Sequence, residues 1–211
     1  MPAPASSPAT SCFDAIYDRR SIKHFDPTCK IPEDQLTALL EAAIQSPTSF
    51  NIQHWRFVVI RDPALRAEIR KLGNDQAQIT DASVLIAMTA DVKAWAKDPQ
   101  RYWRNAPAEI ASMLVGWMGP FHEGDEQLQR DEAQRSIGMA LQTLMLAAKA
   151  MGYDSCPMIG FDRPGVARLI RLPQDHVMGP LVVIGKGIKS AWPKPGQLPL
   201  AEVVIQDRFP A

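Results

Sequence analysis

Four short patches of this 211-residue sequence combine residue types that can do chemistry. Arg19-Arg20-Ser21-Ile22-Lys23 sets two guanidiniums, a hydroxyl and an ammonium within five residues. Such a group can hold a phosphate through charge-assisted, partly bidentate hydrogen bonds, although a solvated basic helix end has the same composition. Ser46 to Trp55 (SPTSFNIQHW) is dense in hydroxyls, amides and aromatic rings. It can bond the polar edge of a heterocycle and cover its face, and an ordinary Ser- or Asx-capped turn looks the same. Cys156 to Asp162 (CPMIGFD) reads as an extended loop in which Gly160 lets backbone approach a planar ligand, with Asp162 as a helix N-cap in either case. No base partner accompanies Cys156, which reads as a buried structural thiol rather than a nucleophile. Lys194 to Pro199 (KPGQLP) carries a cation on a Pro-rich arm that can join a phosphate site or remain a plain surface lysine.

The elements that must position these patches follow from periodicity. Phe13, Ile16 and Tyr17 share one face of a short helix ending near Arg19 to Ser21, and Leu36, Leu39, Leu40, Ala43 and Ile44 mark a helix between Pro32 and Ser46-Pro47. Trp55 to Ile60 and Ser83 to Ala90 are short apolar runs that read as buried strands, as does Leu181 to Ile184. Asp62 and Pro63 open a helix that Gly73 closes. Trp95 to Gly124 holds three of the five tryptophans with several Gly and Pro, and its pattern does not settle on one element. Glu126 to Met151 is a long helix whose second half is apolar almost all round, which predicts burial on more than one side, most simply by a second copy of the chain. Asp162 and Pro164 begin another short helix. Leu200 to Ile205 has a strand-like composition at the end of an extended arm that begins at Trp192.

Composition narrows the function. Lys plus Arg equal Asp plus Glu at 23 each, so the chain lacks the cation excess of a general nucleic-acid or anionic-membrane binder. Three cysteines without C-x-x-C spacing form neither a disulfide framework nor, with four histidines, a zinc pattern, and a reducing cytoplasm is expected. No apolar run reaches membrane-spanning length. Residues 1–11 read as a disordered lead and 12–211 as one domain. Neither G-x-G-x-x-G after a strand nor a Walker A lysine is present. The elements add up to an α+β domain.

Taken in order, the patches resemble the FMN-dependent nitroreductase family. Arg19, Arg20, Ser21, Lys23 and Phe25 match its R-(R/H)-S-x-K-x-F, and Ser46 through Phe57 match S-P-(S/T)-S-x-N-x-Q-P-W-x-F with His54 in the usual proline's place. Asp81-Ala82-Ser83 precedes a strand, Gly152 to Asp162 matches G-(L/Y)-(D/G)-S-C-P-x-x-G-F-D, and an L-P-L-x-E-V-like tail follows.

The resemblance implies a sandwich with a mixed, mainly antiparallel sheet flanked by helices, in an entwined homodimer with exchanged C-terminal arms. It implies FMN sites at the dimer interface, with Arg19, Arg20, Ser21 and Lys194 at the phosphate and ribityl chain and Lys23 near the pyrimidine edge. Pro47, Thr48, Ser49 and Asn51 come from the second chain, and Pro157, Met158, Ile159 and Gly160 form the backbone stretch at flavin N5 and O4. Departures fall at Gln197, where many relatives carry arginine, at Gln78, where some carry a second flavin-edge lysine, and at Ile159, where some carry glutamate. The implied activity passes electrons from NADH or NADPH through FMN to a small electron-poor acceptor, a nitroaromatic or quinone, in ping-pong order. It needs no catalytic acid, base, nucleophile or metal from the protein. Trp103, Trp117 and Phe121 are candidates for stacking on substrate and equally for core packing. Alternatives of the same resemblance are reductive dehalogenation, oxygen-dependent chemistry, or flavin binding without turnover.

Overall fold

The computed structural model describes residues 11–209. The disordered lead expected for 1–11 lies outside the described residues except for Ser11. That residue caps α1 (Cys12–Asp18) through a reciprocal box: its Oγ accepts from Asp14 N–H at 3.1 Å and its own N–H donates to Asp14 Oδ2 at 3.2 Å. There follow α2 (Glu33–Ala43), β1 (Trp55–Ile60), α3 (Pro63–Leu72), α4 (Gln78–Asp81) and β2 (Val84–Asp91). The chain then forms α5 (Ala108–His122), α6 (Glu126–Ala150), β3 (Asp154–Met158), α7 (Arg163–Leu169), β4 (His176–Gly185) and α8 (Leu200–Val203).

The four strands form one sheet in the order β1-β2-β4-β3, and every neighbouring pair is antiparallel. The period of two along the central strands divides the core. Val84, Ile86, Met88 and Ala90 of β2, with Val182 and Ile184 of β4, pack against α2 and α6. Their alternates Leu85, Ala87, Leu181 and Val183 pack with Ile69 of α3, Ile79 of α4 and Val166 of α7. Helices thus cover both faces, which is why β2 is buried along its whole length and apolar without a break from Val84 to Met88.

The segment of unsettled pattern resolves into 3-10 turns at Ala94–Ala96 and Pro99–Trp103 followed by α5. Three expectations need correction. Cys156 to Met158 is not loop but the edge strand β3, paired from Asp154↔Gly185 to Met158↔Leu181. An edge strand tolerates Pro157, which has no N–H to give the ladder. β4 starts at His176, five residues before the expected strand, because a bulge opposite Met88 absorbs Gly179-Pro180. A Cβ at Gly179 would lie 2.8 Å from Ile137 Cγ2 of α6 and 2.9 Å from the Met88 carbonyl, so glycine is what lets α6 approach the sheet. Finally, Leu200 to Ile205 is not a strand: Leu200–Val203 forms the single turn α8. α6 is buried along Ala133, Ile137, Ala140, Leu144 and Ala148, while Arg135, Gly138, Met139 and Gln142 form a strip left exposed in the single chain.

Candidate functional site

The end of α1 sets up a cationic hollow. The Tyr17 carbonyl, at the negative end of the helix, accepts from Arg20 Nη1 at 2.9 Å and from Lys194 Nζ at 2.6 Å. The chain then runs along the outer edge of β3, where Ile22 N–H donates to the Ser155 carbonyl at 3.1 Å and Ser21 forms a parallel bridge to Ser155. Burial of Ile22 and Phe25 fixes this strap and leaves Ser21 before them, and Lys23 and His24 between them, exposed. Arg19, Arg20, Ser21 and Lys23 line a cavity of about 470 Å³, and the arm closes it with Lys194 and Gln197. Lys189 and Trp192 also line it, which the motif comparison missed because both lie outside the matched patches. Five cations and no carboxylate form this wall in a chain of zero formal net charge. Arg19 Nη1 is buried there without a hydrogen-bond partner among the described residues. A buried guanidinium N–H without an acceptor is costly, and the five cations of the wall suit an anion in the cavity.

The same sheet edge delivers the third patch. Cys156 and Met158 point into the core, and burial pushes the Cys156 thiol up, which keeps it protonated near neutral pH. Beyond Met158 the chain leaves the sheet in a tight turn, with Phe161 N–H donating to the Ile159 carbonyl at 3.1 Å. Ile159 is 67% exposed. A Cβ added at Gly160 would meet only Asn74 Nδ2, at 3.8 Å, and its φ lies outside the left-handed region. The described residues therefore give no reason for glycine at 160, whereas a planar group lying against the turn would. Gln78 is buried, and its amide donates to Gln76 Oε1 at 2.9 Å and to Met158 Sδ at 3.5 Å.

The second patch is strained. Phe50, Asn51 and Gln53 have φ of 50°, 54° and 53°, three non-glycine residues in the left-handed region within four positions. The loop is held by Asn51 Nδ2 donating to the Tyr102 carbonyl at 2.8 Å and by Gln53 N–H donating to Thr48 Oγ1 at 3.0 Å. Ser49 Oγ is buried without a partner among the described residues. Neither Pro47, Thr48, Ser49 nor Asn51 lines the cationic cavity of this chain. The loop adjoins α5 instead, with Phe50 and Phe121 centroids 5.2 Å apart. Trp117 and Phe121 share an exposed apolar face of α5 with Ile110 and Met113, whereas Trp103 packs against the small core around Ile52 and Met118.

Two buried histidines escaped the motif comparison as a pair. His54 Nδ1 lies 3.1 Å from Ser136 Oγ, and His122 Nδ1 lies 2.8 Å from the Met118 carbonyl, with both Nε2 atoms lacking partners among the described residues. Burial, and then the proximity of His122, push His54 down to about 4. At the far end of β2, Lys97 Nζ lies 2.7 Å from Asp91 and 2.5 Å from Asp175, so an ammonium already joins the two carboxylates beside His176. The hydrogen bond from Lys97, aided by His176, holds Asp175 down at about 2.

The model of the Nitroreductase family matches residues 16–186. Protein DrgA of Synechocystis is 61% identical over 91% of this chain and 94% of its own length. The candidate NAD(P)H nitroreductase YodC of Bacillus subtilis is 32% identical over 92% and 98%. Among solved structures, a candidate nitroreductase of Exiguobacterium sibiricum in complex with FMN superposes with a TM-score of 0.88 at 27% identity, covering 96% of this chain and all of that one. The match spans the strap, both loops and the whole sheet, and the chain belongs to the nitroreductase family.

Proposed function

We propose that this protein is a homodimeric, FMN-dependent oxidoreductase that passes electrons from NADH or NADPH to an electron-poor acceptor such as a nitroaromatic or a quinone. The observation that carries this reading is the cationic cavity with its unpaired Arg19 guanidinium, lying on the same sheet edge as a turn whose Gly160 has no intramolecular reason to be glycine. Those features fit a ligand with a phosphate at one end and a flat ring at the other. When bound, FMN supplies the two-electron chemistry.

The protein binds and orients. Arg19, Arg20, Ser21 and Lys194 hold the phosphate and ribityl chain, and Gln197 gives a neutral contact where many relatives carry arginine. Lys23 stabilises negative charge at the pyrimidine edge. The turn from Pro157 to Gly160 presents backbone to the ring. The strained loop of a second copy, with Pro47, Thr48, Ser49 and Asn51, covers the ring from the other side. The α5 face with Trp117 and Phe121 walls the space that donor and acceptor enter in turn, which gives ping-pong order. Three features support the dimer and its exchanged arms: the outer edge of β1 without a strand partner among the described residues, the exposed strip of α6, and exposed Leu200, Val203, Val204 and Phe209 on the arm.

Titration with FMN, followed by flavin fluorescence, tests the reading. Arg19→Ala should raise the Kd about tenfold or more, since a hydrogen bond to a charged group contributes about 1.5–3 kcal/mol. A Kd equal to that of the wild type would remove the cavity from the FMN site.

A further inference from the structure

We infer that Asn74 and Gln76 are positioning residues that fix the Gly160 N–H and strengthen it as a donor toward the ring of the bound cofactor. The inference rests on the FMN reading above and assigns the α3–α4 connection a part in it. Asn74 and Asp75 both have left-handed φ, 54° and 52°, in the turn after α3. That turn aims two amides at a single carbonyl: Asn74 Nδ2 donates to Gly160 O at 3.1 Å and Gln76 Nε2 donates to it at 3.2 Å. Gln76 is itself oriented, donating to Gly73 O at 3.0 Å and accepting from Gln78 Nε2 at 2.9 Å. The departure to glutamine at 78 thus has a local use: its amide turns the Gln76 NH₂ toward Gly160.

Structural anchoring does not require this convergence. Asp162 N–H already ties the segment after the turn to the Leu72 carbonyl at 2.8 Å, and Arg70 Nε already holds Asp75 Oδ1 at 2.7 Å. What the two amides add follows from the covalent order of the turn. Gly160 C=O and Phe161 N–H belong to one peptide group, and that N–H donates to Ile159 O. Ile159 C=O and Gly160 N–H belong to the next peptide group. Two donors on Gly160 O polarise the first group, which donates more strongly to the second, which leaves Gly160 N–H the stronger donor. Neither Gly160 N–H nor Ile159 N–H has a hydrogen-bond partner among the described residues. The relay therefore ends on a donor that faces no acceptor among the described residues.

The test compares FMN affinity and the visible spectrum of bound FMN in the purified dimer. Asn74→Asp keeps a side chain that tolerates left-handed backbone but sets an acceptor against the Gly160 carbonyl. It should raise the Kd about fivefold, as loss of roughly one hydrogen bond does, and displace the absorption bands of the bound ring. Asn74→Gly keeps the backbone and removes only the donor, so it should move both readouts in the same direction by less. Arg19→Ala should weaken binding with the bands unmoved, because it acts at the phosphate. Wild-type affinity and bands in both Asn74 variants would overturn the inference and leave the FMN reading standing. A wild-type protein that binds no FMN would overturn both.

Discussion

His54 gives a quantitative handle on the interior. Its ring is fully buried, and Ser136 Oγ donates its hydrogen to the Glu132 carbonyl at 2.8 Å. The hydroxyl can therefore only accept from His54 Nδ1–H, which leaves Nε2 as a bare acceptor in the neutral tautomer. Protonating that nitrogen would bury an unpaired charge beside His122. Arg56 opposes the charged form, and the Glu132 and Asp91 carboxylates favour it only weakly against desolvation. The drop from the ordinary 6.5 to about 4 corresponds to about 3 kcal/mol at about 1.36 kcal/mol per pH unit. The sign follows from proton uptake. Below 6.5 the unfolded chain binds a proton that the folded chain refuses until about 4, so stability is full above 6.5 and falls as the pH drops between those values. Urea unfolding of the wild type and of His54→Leu, at matched protein concentration and at one pH on each side of that window, isolates the effect. The wild type should lose about 2–3 kcal/mol more than the variant on acidification. Parallel losses would refute the claim that the folded protein holds His54 neutral.

Other expectations follow from particular contacts. Gly160→Ala should leave the melting temperature of the FMN-free protein unchanged, since the new methyl meets only Asn74 at 3.8 Å, yet it should weaken FMN binding measurably by fluorescence titration. Gly179→Ala should destabilise by about 1–3 kcal/mol in urea unfolding, because the bulge, Ile137 and the Met88 carbonyl leave no room. If Arg20 and Ser49 serve one site from different chains, mixing inactive Arg20→Ala and Ser49→Ala proteins should restore part of the activity after subunit exchange, and no recovery would count against a shared interface.

Much of the fold was legible because local chemistry and tertiary packing agree. β1 and α3 fall where aromatic and β-branched runs, Asp62, Pro63 and Gly73 put them. β3 was not legible, because Asp-Ser-Cys-Pro-Met has little strand propensity and is held by pairing with β4 and by the Ser21–Ile22 strap. Gly179-Pro180 forms a bulge, so the apolar run beginning at Leu181 marked only the second part of β4. α5 was obscured by Gly116, Gly119 and Pro120, yet Pro120 lies in the last turn, where it ends a helix more than it breaks one. Of the candidate site, residues of the strap and of the arm line one cavity, and their residue types alone left a solvated helix end and a surface lysine equally open. The amide convergence on Gly160 was invisible, since Asn74 and Gln76 lie more than eighty residues from the carbonyl they bond. The pairing of His54 with His122 was hidden for the same reason, because the two rings come from distant parts of the sequence, the loop before β1 and the end of α5.

The central claim is that the cationic strap and the Gly160 turn together hold FMN. It is tested most directly by the absorption spectrum of the purified protein, with acid release and identification of the chromophore. The claim predicts a yellow protein, or one that becomes yellow on incubation with FMN, carrying about one FMN per chain. A colourless protein that stays colourless with excess FMN would contradict it.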